Sequence, residues 1–246
     1  MRSAGGGCLF EREHHRQVEV ILESLNADLL ASNGCLFGGG TAIVLTHGEY
    51  RESADIDFLV SSLPGYRALR QLVTGGRGFQ ALARAGARVD EARALRADQY
   101  GLRTMVRALG AEIKVEIVFE ARIVLQSPGA VDKVCGVATL TPMDMAASKL
   151  LANSDRWSDD SVQSRDLIDL AMLEPPRTLL DAAKAKARGA YGVSIERDLS
   201  AAIDALRRRP DRLDECMLSL QIRNVPKAVL WKRIRGLRVK APRSSR

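Results

Sequence analysis

Gly38-Gly39-Gly40-Thr41 and, one short apolar helix later, Ser53-Ala54-Asp55-Ile56-Asp57-Phe58 are the residues on which the fold of this chain turns. The glycines suit a tight turn opening a helix at Thr41, and Gly48 stops that helix. Ile56 to Val60 reads as a strand, ended by Ser61, Ser62 and Pro64. Side chains alternate along a strand, so Asp55 and Asp57 point to the same face. Two carboxylates on one face repel each other unless a cation lies between them, and hard oxygen ligands suit Mg²⁺. Glycines let a backbone approach phosphate closely, and a helix N-terminus favours negative charge. Together these are the parts of a site for a metal-bound nucleoside triphosphate.

Working outward, Val18, Ile21, Leu22, Leu25, Leu29 and Leu30 have helical spacing and predict one amphipathic helix from about Glu11 to Ala31. Cys35-Leu36-Phe37 predicts a strand entering the glycine turn. Beyond Asp57, helical pieces are expected over Tyr66–Val73 and Phe79–Ala85, broken by Gly75-Gly76. Loose strand alternation follows from Ala87 to Leu109, an arginine-rich region with no base-selecting motif. Ile113 to Phe119 alternates apolar and polar residues with high β-branched content, a strand whose Glu116 projects from the face opposite Val115 and Ile117. Among apolar neighbours an unpaired carboxylate at Glu116 would be costly. From Pro142 on, helices are expected over Met143–Asn153, Asp166–Leu173, Leu179–Ala190, Glu196–Arg208 and Leu213–Gln221, separated by Pro175-Pro176 and Pro210. The expected architecture is an α/β domain over residues 1–139, a mixed sheet flanked by helices, followed by a helical domain over 140–246.

At 246 residues, with 46% hydrophobic and 27% charged residues, the chain has the composition of a globular protein able to bury a core. Aromatics at 4% argue against a surface built mainly for base stacking. No apolar run reaches the roughly 20 residues that cross a bilayer, and Met-Arg-Ser-Ala-Gly-Gly-Gly lacks a signal peptide's apolar core, so a cytoplasmic location is expected. Cys8, Cys35, Cys135 and Cys216 are scattered without metal-ligand spacing and suit small buried hydrophobes. His14 and His15 are adjacent on a helix and point in different directions, whereas His47 lies near the glycine turn. The net charge of +7 is uneven: Lys232, Arg233, Arg235, Arg238, Lys240, Arg243 and Arg246 crowd the last stretch, which would attract a polyanion such as RNA.

Gly39-Gly40-Thr41, Arg51 to Phe58 and Lys114-Val115-Glu116-Ile117 resemble the nucleotidyltransferase-fold pattern of glycine turn, paired acids and third acid. The particular form resembles the AbiEii/AbiGii toxin family, with Lys149-Leu150 and Arg165-Asp166-Leu167-Ile168-Asp169-Leu170 matching its later motifs. The resemblance covers roughly residues 35 to 173. It implies a mixed sheet followed by a helical bundle and transfer of a nucleotide from an NTP, in some members to tRNA ends, with several members acting as toxins neutralised by an antitoxin.

On the chemistry of the residues, Asp55, Asp57 and Glu116 are the candidate Mg²⁺ ligands, with Glu116 alternatively a base toward the incoming hydroxyl. Gly39, Gly40 and Thr41 would offer backbone N–H groups to phosphates, and Ser53 could touch phosphate or simply order the turn. Arg51 and Lys149 are candidate cations for the leaving pyrophosphate. Asp166 and Asp169 share a helix face, one to orient Lys149 and the other to pair with Arg165 or Arg156, Asp166 being preferred as the partner in chemistry. The acceptor is expected to be RNA, with a protein or small-molecule hydroxyl, or a catalytically silent nucleotide-binding module, as alternatives. A phosphatase of the aspartyl-nucleophile type is disfavoured, because Leu59 stands where its motif wants Thr or Val.

Overall fold

The computed structural model describes residues 10–238. The stretch Met1 to Gly7, Cys8 and the tail residues Lys240, Arg243 and Arg246 lie outside them. The chain divides into two compact units after Leu140.

The first unit is built on a five-stranded mixed sheet. Its strands are β1 (Leu36–Gly38), β2 (Ile56–Val60), β3 (Asp90–Ala97), β4 (Gly101–Ala108) and β5 (Ala111–Phe119). Their spatial order is β1-β2-β5-β4-β3. Only β2 and β5 run parallel; the other neighbours are antiparallel. Strands β4 and β5 are joined through Leu109 (φ 48°) and Gly110 (φ 82°), with Ala108 facing Ala111. Positive φ at both residues is the hairpin turn whose twist matches the strands it connects. This turn sets which residues of β4 face Glu116 and its neighbours on β5.

One sheet face is the core. Ile56 and Phe58 of β2, Val115 and Ile117 of β5, and Leu102 and Val106 of β4 are all at most 2% exposed. Helix α1 (Glu13–Ser24) packs on β4 and β5, with Val18, Ile21 and Leu22 buried. The single helix expected over Glu11 to Ala31 is in fact α1 and a second short helix, α2 (Ala27–Ser32). The break has a local cause: Asn26 N–H donates to the Leu82 carbonyl at 2.8 Å. The Asn26 side chain then caps α2 by accepting from Leu29 N–H at 3.0 Å.

The glycine turn leads directly into α3 (Gly39–Thr46), and Ser62 caps α4 (Leu63–Leu72). Past α4 the chain makes a π turn, Val73–Arg77, and a 3-10 turn, Gly78–Leu82, so the second expected helical piece is a single irregular turn. A two-residue ribbon, β6 (Lys133–Val134) with β7 (Val137–Ala138), has no counterpart in the sequence reading.

The second unit is helical: α5 (Pro142–Arg156), α6 (Arg165–Met172), α7 (Arg177–Tyr191), α8 (Ser194–Arg208), α9 (Arg212–Ser219) and α10 (Lys227–Gly236). Thr141 caps α5 through Asp144 N–H, with Pro142 in its first turn. Helix α5 packs on α6, α7 and α8, while α10 packs on α6. Helix α10 is a further correction, since Lys232, Arg233 and Arg235 belong to it and not to an extended tail. Its buried Leu230 and Ile234, with Leu237 just past its end, supply the apolar stripe that anchors so basic a helix.

Candidate active site

The strand registers line up one charged row across the polar face of the first unit's sheet. Gly38 faces Asp57, Asp57 pairs with Glu116, and Glu116 faces Arg103. Residues in register on neighbouring strands project to the same side, so Asp57, Glu116 and Arg103 share a face. Asp55 precedes β2 and is exposed, while Asp57 and Glu116 are half-buried.

Both Glu116 oxygens are engaged. Oε1 accepts from Arg103 Nε at 2.9 Å, and Oε2 accepts from Lys114 Nζ at 2.6 Å. Arg103 also donates to Asp98 Oδ2 at 3.0 Å. Burial alone would lower the Lys114 pKa, but the hydrogen bond to Glu116 and the charges of Glu116, Asp55 and Asp57 outweigh it and hold it above its ordinary value. One ammonium group therefore feels all three acids. As the alternation predicts, Glu116 projects from the face opposite the buried Val115 and Ile117, and there it meets two cations rather than apolar neighbours. Neither Arg103 nor Lys114 was picked out as its partner. The two-residue hairpin at Leu109-Gly110 puts residue 103 opposite residue 116.

The glycine turn abuts the middle of this row. Gly39 has φ +67°, and a Cβ there would come within 2.9 Å of the Asp57 Cβ and closer still to its carboxylate. Only glycine meets both demands, and the N-terminus of α3 is thereby brought against Asp57, a favourable placement for negative charge. Gly40 is the second residue of α3. Thr41, 1% exposed, shares a 2.8 Å hydrogen bond with the Ser53 hydroxyl, tying the turn to the segment that delivers Asp55. Arg51 is 4% exposed and donates to the Glu52 carbonyl at 2.7 Å. The same loop is clasped to the start of α1. Glu49 accepts from Glu11 N–H, Arg12 N–H and His15 Nδ1 at 2.9, 3.1 and 2.6 Å. Glu52 accepts from Arg12 at 2.8 Å and is bonded to His14 Nδ1 at 2.5 Å. His47 Nδ1 lies against Thr46 Oγ1 and the Ile43 carbonyl at 2.9 and 3.0 Å, at the far end of α3.

The second unit holds the remaining residues singled out by sequence. Lys149 Nζ meets Asp166 Oδ1 at 3.0 Å and Asp169 Oδ2 at 2.7 Å. Arg156 closes the cluster with two bonds to Asp166, at 2.7 and 3.0 Å. Burial pushes the Asp166 pKa up, but Lys149 and Arg156 overcome that and hold it below the ordinary carboxylate value. Both acids therefore take Lys149, and Arg156, not Arg165, is the added partner of Asp166.

A family profile for the nucleotidyl transferase AbiEii toxin of type IV toxin–antitoxin systems matches residues 20–236. This chain belongs to the AbiEii family. It is a nucleotidyltransferase. A crystal structure of a candidate nucleotidyltransferase from H. pylori is 17% identical with a TM-score of 0.45, covering 92% of this chain and 97% of that one. The crystal structure of JHP933 from Helicobacter pylori is 15% identical with a TM-score of 0.48, covering 93% of each chain. No curated protein matches. The family's reaction takes an NTP, its members generally use a divalent metal, and a type IV system pairs the toxin with an antitoxin.

Whether these residues suit such a metal can be judged from their chemistry. Among the described residues, no group of three His, Cys, Asp or Glu side chains is drawn together as a ligand cluster. The donor set fits a hard cation nonetheless: carboxylates at Asp57 and Glu116 are register partners, and Asp55 joins them in acting on the Lys114 ammonium.

Proposed function

We propose that this chain is an Mg²⁺-dependent nucleotidyltransferase that moves a nucleotide from an NTP to a hydroxyl at an RNA end, tRNA in particular, as the cytoplasmic toxin of a toxin–antitoxin pair. What carries the proposal is the row Gly38–Asp57–Glu116, which puts a phosphate-tolerant turn beside two acids with a third just upstream. Asp55, Asp57 and Glu116 would hold the metal, which supplies charge stabilisation at the reacting phosphate. Gly39, Gly40 and Thr41 would direct backbone N–H groups to the polyphosphate. Ser53 holds that turn through Thr41. The alternative role for Glu116, in place of metal ligation, is to take the acceptor's proton as the new oxygen–phosphorus bond forms and pyrophosphate leaves. Lys114 and Arg103, freed from Glu116, are then cations within reach of phosphate, beside the Arg51 of the sequence reading. In the second unit, Asp166 and Asp169 would orient Lys149, a further candidate cation for the leaving pyrophosphate.

RNA is favoured over a protein or small-molecule acceptor by the basic C-terminal region: residues 205–246 hold 13 Lys and Arg against 3 acids. Among the described residues, no helix is long and apolar enough to cross a membrane. Incubating the protein with the four labelled NTPs and total tRNA should give label in RNA. Asp57→Ala should abolish transfer while leaving the fold intact, because Asp57 is half-buried on the polar sheet face and is not part of the apolar core. Absence of label from RNA, or full activity in Asp57→Ala, would refute the proposal.

A further inference from the structure

The second unit contains a cavity that none of this chemistry uses. It has a volume of about 490 Å³, within the roughly 300–1,000 Å³ of small-ligand sites. Leu206 of α8, Pro210, Leu213 of α9, and Ala228 and Trp231 of α10 wall it, with Arg207 and Lys227 as the charged residues at its lining. Leu206 and Leu213 are buried, whereas Pro210 and Ala228 are exposed and Trp231 is half-exposed, so the cavity opens to solvent. The Arg235 guanidinium lies 5.8 Å from the Trp231 ring centroid. Arg207 is paired with Asp204 at 3.1 Å, and Lys227 with Asp214 and with the Pro210 carbonyl at 3.2 Å. Arg207, Lys227 and Asp214 are exposed and Asp204 is half-buried, so both ion pairs lie at the surface, where such pairs contribute little and exchange readily for another anion.

We propose that this cavity binds one unpaired nucleobase of single-stranded RNA, stacked on Trp231, with Arg207 and Lys227 meeting the phosphates on either side of it. The claim rests on RNA being the acceptor and says where the acceptor is gripped. Its chemistry is that of single-strand recognition, in which an aromatic face takes a base of any identity and cations take the backbone. Three observations converge on that ligand and not on a protein segment. The apolar wall is confined to one compact pocket with an aromatic in it. Its charged lining residues are both cations. The segment that forms it is basic, residues 206–231 holding six Lys and Arg against three acids, and it lies within the C-terminal stretch 205–246, which carries ten more basic than acidic side chains in a chain whose net charge is +7. A chain with only 4% aromatics has no extended stacking platform, so a single base is the expected cargo.

The chain has two tryptophans, so Trp157→Phe in the full-length protein leaves Trp231 as the sole indole emitter. The probe is a fluorescein-labelled single-stranded RNA octamer of mixed sequence, followed by anisotropy, with unlabelled octamer for the tryptophan signal. Saturating octamer should quench Trp231. Trp231→Ala should weaken octamer binding about tenfold, Trp231→Phe much less, as expected when base stacking is lost. An abasic phosphodiester octamer should bind the parent and Trp231→Ala alike and leave the emission unmoved. Equal octamer affinity in parent and Trp231→Ala, or unchanged Trp231 emission at saturation, would overturn the proposal. So would a glutamate-rich peptide that displaces the octamer and itself quenches Trp231, which would assign the pocket to a protein. If Trp231→Ala proves unstable, the quenching of the Trp157→Phe protein decides alone. Failure of nucleotide transfer with quenching intact would count against the first unit's chemistry, whereas transfer to tRNA at unchanged KM in Trp231→Ala would count against this site.

Discussion

Gly39 is where backbone conformation and site chemistry coincide. Its φ of +67° is one that L side chains rarely adopt, and the Asp57 side chain occupies the space a Cβ would need. The residue thus serves two neighbours at once, the helix it starts and the acid it touches. Lys149 shows the opposite economy, a charge retained inside a helical core. Its side chain is 8% exposed, and those of Asp166 and Asp169 are 3% and 0%. Removing one partner from a buried ionic cluster strands the others, at a cost of about 3–5 kcal/mol. Lys149→Met should therefore lower the denaturant midpoint of unfolding substantially. A midpoint equal to the parent's would show that the cluster contributes no net stability to the second unit.

At the scale of elements, α1 and the Glu49–Glu52 loop form a clasp that sits immediately upstream of Asp55. His15 is fully buried, and burial holds its imidazole below the ordinary value of 6.5, against the opposing hydrogen bond to Glu49. The neutral ring donating Nδ1–H to the Glu49 carboxylate satisfies both tendencies, and the backbone amides of Glu11 and Arg12 help hold Glu49 below 4.5 in spite of its burial. As pH drops from 7 through 6.5, the unfolded chain takes up a proton at His15 that the folded chain declines, so stability falls with pH. The contributions of Glu49 and Glu52, both held below 4.5, persist through that window and are lost only below it. The melting temperature should therefore decline between pH 7 and 5.5. His15→Asn, whose amide can replace the Nδ1 donor, should flatten that decline; an unchanged slope would exclude His15 as its source.

Elements with strong periodicity were legible in the sequence. The strand Ile56–Val60, the strand around Glu116 and five helices of the second unit all carry a clean apolar repeat. What was not legible depends on contacts between distant residues. The break between α1 and α2 is made by Leu82, and the Arg103 partner of Glu116 is placed by a hairpin centred on Leu109, a residue with no turn preference of its own. Helix α10 was hidden by its charge, because three buried apolar residues anchor a segment that composition marks as a tail.

Over the whole molecule, acidic chemistry and basic character are segregated along the chain. The three candidate metal-holding acids lie in the first unit, and the positive excess lies in the last 42 residues. That distribution suits an enzyme that binds a metal-bound nucleotide with one unit and a polyanionic acceptor with the other. The central claim is that Asp55, Asp57 and Glu116 bind a divalent ion together with nucleotide beside the glycine turn. A ligand that binds only the folded state raises stability by about 2.7 kcal/mol at a hundredfold excess over its dissociation constant. Thermal unfolding with an equimolar mixture of the four NTPs, with Mg²⁺ or with EDTA, measures this directly in the parent and in Asp57→Asn. The parent's melting temperature should rise with NTPs only when Mg²⁺ is present, and that of Asp57→Asn should not rise. A rise of equal size in EDTA, or in Asp57→Asn, would contradict the assignment of these acids to the metal.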